Sequence, residues 1–93
     1  MIQTMDHEIA HGLYFTNKKY KKSCDILVSE IKNKDYNSVR KALIKMGYVD
    51  DSKIIDDEIQ AFFSTGLYKS FDNDNSRKYV KGFQNNFKEY YSK

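Results

Sequence analysis

Residues 7 to 11 read His-Glu-Ile-Ala-His and contain both histidines of the 93-residue chain. On a helix, positions i and i+4 share one face about one turn apart, so two imidazoles can reach one metal ion while the intervening carboxylate stands beside a water held there. This HExxH spacing is that of a zinc centre whose ligands and general base come from one helical turn. Two histidines and four glutamates scattered over this length give the pattern on the order of once in a thousand arrangements, so coincidence is a poor explanation. Zinc is the expected cofactor, His7 and His11 are the expected ligands, and Glu8 is the expected general base.

A catalytic zinc usually takes three protein ligands and keeps a fourth position open. The chain has no third histidine, so a cysteine or a carboxylate must complete the set. In the segment IIDDEIQAFF, Ile55, Glu58, Ile59 and Phe62 follow the i, i+3, i+4, i+7 spacing of one buried helix face. Glu58 therefore projects where a helix normally presents a hydrophobe, and burying a carboxylate there is costly unless a metal or a partner compensates it. Asp56 and Asp57 point toward other faces and, with Cys24, stay open as alternative ligands. Asp6, Asp56 and Asp57 are candidates to orient the imidazole N–H groups from behind.

The elements that must hold these residues are helical. Apolar spacing and capping residues predict five helices and no strand. The first, over 3–14, carries the two histidines. The second runs from a cap at Thr16 or Asn17 to about Asn33, with Tyr20, Cys24, Leu27 and Ile31 on one stripe. The third, over 36–46, buries Val39, Leu43 and Met46 and stops at Gly47, a residue suited to a left-handed C-terminus. The fourth starts at Asp50, Asp51 or Ser52 and ends before Gly66. The last, over 75–91, presents Val80, Phe83, Phe87 and Tyr91. The expected architecture is a compact all-α bundle, with residues 1–93 forming one domain.

Composition narrows the function classes. With 40% hydrophobic and 31% charged residues the chain is built to fold. It has no apolar run of membrane-spanning length and no signal-peptide layout, and its one cysteine requires no oxidising compartment, so a cytoplasmic location is expected. A net charge of +3 with only two arginines argues against specific nucleic-acid binding.

The segment TMDHEIAHGL, with Thr4 ahead of the box, uncharged Ile9 and Ala10 within it and Leu13 after it, resembles the extended signature of the zincin superfamily of metallopeptidases. The metzincin variant is excluded, because Tyr14 and Asn17 stand where its glycine and last histidine belong. The chain is more similar to the gluzincin plan, in which a glutamate from a later helix joins the two histidines. That resemblance implies Glu58 as third ligand, although DEIQAF, forty-seven residues beyond His11, is not the usual second gluzincin motif. The stretches LYFTNKKY and DDEIQAFFSTG also resemble segments of small uncharacterised HExxH proteins.

The resemblance implies a zinc-dependent peptidase acting on a peptide or protein substrate. Zincins usually place a β-sheet before the box to align that substrate, whereas six residues precede His7 here. The chain is thus expected to correspond to the helical metal-binding part of a zincin without its N-terminal sheet, as a C-terminal portion or with a partner chain supplying the missing half. Two other function classes fit the sequence. One is a non-catalytic metal protein with a fourth protein ligand. The other is a metal-free interaction module docking through the terminal aromatics Tyr79, Phe83, Phe87, Tyr90 and Tyr91.

Overall fold

The structure is a computed structural model that describes residues 5–91. Thr4 and the expected helix start at residue 3 lie outside the described residues. Five α-helices follow in chain order: α1 (Met5–Thr16), α2 (Lys18–Ser29), α3 (Asn33–Lys45), α4 (Ser52–Thr65) and α5 (Asp74–Tyr91), with a single 3-10 turn at Lys69–Phe71 before the last. There is no strand among the described residues, and the helices pack as an all-α bundle. No helix among them is long and apolar enough to cross a membrane.

Local chemistry sets most of the boundaries. The Asn17 side chain accepts the Tyr20 N–H at 3.0 Å and separates α1 from α2. The Asp51 side chain does the same for α4, accepting from the Lys53 N–H at 2.8 Å. Beyond α3, Gly47 takes φ +110°, so its N–H reaches the Ile44 carbonyl while the Tyr48 N–H reaches that of Leu43. This paired closure of a helix C-terminus turns the chain back and carries Tyr48 toward α4. Gly66, at φ +147°, ends α4.

One boundary differs from the sequence expectation. α2 stops at Ser29 rather than Asn33, and α3 begins at Asn33 rather than near residue 36. Asp35, in the first turn of α3, is buried and accepts the Tyr79 hydroxyl at 2.6 Å and the Lys78 ammonium at 3.1 Å. That contact with α5, forty-four residues on, draws the start of α3 forward, and periodicity within the segment cannot register it.

α4 runs through the middle of the bundle. Ile55, Ile59, Phe62 and Phe63 join Val28, Ile31, Val39, Leu43, Phe71 and Phe83 in the larger core. A smaller core of Ala10, Tyr14, Tyr20, Cys24, Ala61 and Phe87 ties α1 and α2 to the other side. Phe83 and Phe87 are 1% and 4% exposed. Of the five terminal aromatics named for docking, Phe83 and Phe87 are spent on the core, Tyr79 and Tyr90 are half-buried against it, and Tyr91 is exposed.

α1 and α4 lie antiparallel. His7 meets Thr65, the Ala10 carbonyl meets Gln60, and His11 meets Asp57, so rising numbers on α1 pair with falling numbers on α4. The box and the DDEIQAFFST segment are brought together along one line.

Candidate metal centre

His7 and His11 occupy successive turns of α1, and their rings meet edge to face with centroids 4.8 Å apart. His7 is buried against Phe62, the ring centroids 4.6 Å apart, whereas His11 is partly open. Their Nε2 atoms converge to 3.2 Å. Glu58, from α4, brings Oε1 to 3.4 Å from His11 Nε2 and 3.9 Å from His7 Nε2. The three ligand atoms all lie within 4.8 Å of one another, and among the described residues they form the one cluster of His, Cys, Asp and Glu able to hold a metal ion.

The donor set fits a small cation. Tetrahedral bonds of about 2.0–2.1 Å put ligand atoms about 3.3–3.4 Å apart, close to the separations found. Glu58 Oε1 is also the buried side-chain polar atom left without a hydrogen bond among the described residues. A buried carboxylate oxygen normally has a partner, and leaving one unmade is expensive. A cation bound to both Nε2 atoms would supply it.

The far side of each ring is fixed. His11 Nδ1 donates to Asp57 Oδ1 at 3.0 Å. Thr65 Oγ1 gives its proton to the Ala61 carbonyl at 2.6 Å, which leaves it to accept from His7 Nδ1 at 3.2 Å. Both imidazoles therefore carry hydrogen on Nδ1 and aim Nε2 at the cluster, the orientation that metal-ligating histidines take. Asp57 is itself held by Gln60, whose Nε2 donates to Oδ1 at 2.9 Å and to the Ala10 carbonyl at 3.0 Å.

Without metal the two histidines diverge. Burial, and then the neighbouring His11, push the His7 pKa below its ordinary value. The hydrogen bond to Asp57, and then the nearby Glu58 carboxylate, raise His11 to about 10. A proton on His11 thus occupies the place a cation would take.

Of the sequence candidates, His7, His11 and Glu58 are brought together. The three alternative ligands are not: Asp57 binds the outer nitrogen of His11, Asp56 accepts the Tyr36 hydroxyl at 2.7 Å, and Cys24 is buried on α2 beside Gln60 and Asn86. Asp57 fills the orienting role, while Asp6 is exposed and the third candidate, Asp56, is engaged elsewhere. Glu8 is exposed on α1, and its charge reaches both His7 and Tyr48. Gln60 and Thr65 escaped sequence reading, although both could have been suspected as polar residues in the largely apolar second half of α4; Tyr48 is one of five tyrosines, with Tyr14, Tyr20, Tyr36 and Tyr68, among which the sequence does not single out one to stabilise an oxyanion. Burial and the adjacent Glu58 carboxylate push the Tyr48 hydroxyl pKa upward.

A groove of about 770 Å³ opens beside the cluster, lined by Tyr14, Phe15, Lys21, Lys53 and Ile54 together with Asp57 and Glu58. Searches against protein-family models, curated proteins and solved structures find no match for the chain.

Proposed function

We propose that this protein is a zinc-dependent peptidase in which His7, His11 and Glu58 hold the metal and Glu8 is the general base. The observation that carries the reading is the convergence of two Nδ1-anchored imidazoles on the orphaned Glu58 Oε1. Two nitrogens and one carboxylate oxygen suit zinc, and a three-ligand set leaves one coordination position for substrate.

Zinc bound there supplies Lewis acidity toward a carbonyl oxygen and brings the pKa of water toward neutrality. The chain's own groups do the rest. Glu8, one residue past His7 and exposed to solvent, takes a proton from the attacking water as its oxygen bonds to the amide carbon. It then returns that proton to the leaving nitrogen as the C–N bond breaks. Asp57 holds the His11 ring in register, and Thr65 holds that of His7. Tyr48, whose hydroxyl lies beside Glu58, can donate to an oxyanion.

The closed, structural alternative needs a fourth protein ligand, and Asp57 and Cys24 are both otherwise engaged. The deciding measurement is zinc content of the purified protein alongside His11→Ala, Glu58→Ala and Glu8→Gln. One zinc per chain, lost in the first two variants and kept in the third while peptide hydrolysis disappears, is the expected result. Absence of zinc after reconstitution would sink the proposal. Retention of full hydrolysis by Glu8→Gln would remove Glu8 from its role.

A further inference from the structure

Phe15 follows His11 by one turn on α1, and Ile54 precedes Glu58 by one turn on the antiparallel α4. The groove therefore continues the line of the metal cluster between the same two helices, with Phe15 and Ile54 as its apolar walls. Phe15 is 91% exposed, whereas most aromatic side chains of this small protein are spent on its cores. The two cations at the groove differ in availability. Lys21 is tied to Asp25 at 2.7 Å and lies over the Tyr14 ring, its ammonium 4.9 Å from the centroid. Lys53 is exposed and makes no ion pair among the described residues. Asp57 and Glu58 also line the groove and join it to the metal cluster.

We infer that this groove is the recognition subsite for an extended peptide carrying a bulky apolar residue next to an acidic one, the apolar side chain lying between Phe15 and Ile54 and the carboxylate meeting Lys53. The inference rests on the peptidase reading for what the bound segment is used for, but binding itself does not require the metal. One helical turn advances about 5.4 Å. An extended peptide advances about 3.3–3.6 Å per residue. The apolar side chain would therefore sit one to two residues from the bond presented to the cluster. Exposed apolar surface supplies the affinity, and the single available cation supplies selectivity for an acidic neighbour.

The test is titration of the isotope-labelled protein, both metal-free and after zinc addition, with three end-blocked tetrapeptides: Gly-Phe-Asp-Gly, Gly-Ala-Asp-Gly and Gly-Phe-Asn-Gly. Amide shifts are followed at residues 13–16 and 53–55. Gly-Phe-Asp-Gly is expected to bind at these positions and the other two more weakly. Phe15→Ala should weaken it about tenfold, the loss of one anchoring contact. Lys53→Gln should weaken it about two- to fivefold, with the difference vanishing at high salt. Both side chains are exposed, so neither variant endangers the fold. Binding to a protein that takes up no zinc would support the groove and sink the peptidase reading. Zinc uptake with no response at these residues, or equal response to all three peptides, would overturn the groove and leave the metal centre standing.

Discussion

Replacing Gln60 with leucine keeps the approximate volume of a fully buried side chain and deletes its amide. That amide joins three helices: Oε1 accepts the Tyr20 hydroxyl of α2 at 2.8 Å, and Nε2 donates to the Ala10 carbonyl of α1 and to Asp57 of α4. Tyr20 is 0% exposed, so its hydroxyl loses the acceptor it donates to with no water to replace it, at about 1–3 kcal/mol. Asp57 is partly solvated, and losing one of its donors costs about 0.5–1.5 kcal/mol. Together Gln60→Leu should cost about 2–4 kcal/mol, a large share of the roughly 5–14 kcal/mol that 0.05–0.15 kcal/mol per residue gives a chain of this size. At about 4–8 °C per kcal/mol, the melting temperature should fall by about 8–32 °C. Urea unfolding of metal-free protein is the assay, read as a lower midpoint at unchanged slope. Tyr20→Phe removes the other partner, and the double variant should cost at least about 1 kcal/mol less than the two single changes added, because deleting both ends of a buried hydrogen bond orphans neither. Additivity within about 0.5 kcal/mol, or a stabilised Gln60→Leu, would refute the assignment of Gln60 as the polar tie between the helices.

The remaining expectations concern the metal, the thiol and one turn. With its pKa raised from 6.5 to about 10, His11 contributes stability to the metal-free protein that is complete below about pH 6.5 and lost as pH climbs toward about 10. Zinc must displace that same proton, so its affinity should rise over this window with one proton released near neutrality; calorimetry in buffers of different ionisation enthalpy counts the proton, and a value of zero would contradict the His11 assignment. Zinc at about 100 times its dissociation constant should stabilise the fold by about 2.7 kcal/mol, and thermal melts should show this gain abolished in Glu58→Gln. Burial pushes the Cys24 thiol to about 12, so it should resist a thiol reagent at pH 8 until the chain unfolds, and prompt labelling of native protein would show that α2 is not packed as described. Gly47→Ala meets no atom within 4 Å but forces an L residue to φ +110°, so denaturant unfolding should register a loss of about 1–2 kcal/mol from backbone strain alone.

Legibility in the sequence followed the range of the interaction. The two histidines of α1 and the placement of Glu58 among Ile55, Ile59 and Phe62 are local patterns with a period of 3.6, and they were readable because a helix fixes which side chains share a face. Caps such as Asn17 and Asp51 and the left-handed Gly47 were equally local. The end of α2 was misplaced because the start of α3 depends on Asp35 meeting Tyr79 and Lys78, a pairing that no window of a dozen residues contains.

By itself, then, the sequence determined five helices and the pairing of two histidines on one face of the first as half of a candidate metal site, since spacing and residue chemistry suffice for both. The tertiary structure alone decided the rest. Antiparallel packing of α4 on α1 chose Glu58 over Asp57 and Asp56, gave Asp57 and Thr65 to the outer imidazole nitrogens, and placed Phe15 and Ile54 on one groove beside the cluster. The physical reason is that a helix dictates neighbours three and four residues away, whereas a choice among three adjacent carboxylates depends on how one helix is rotated against another, and the whole core sets that rotation.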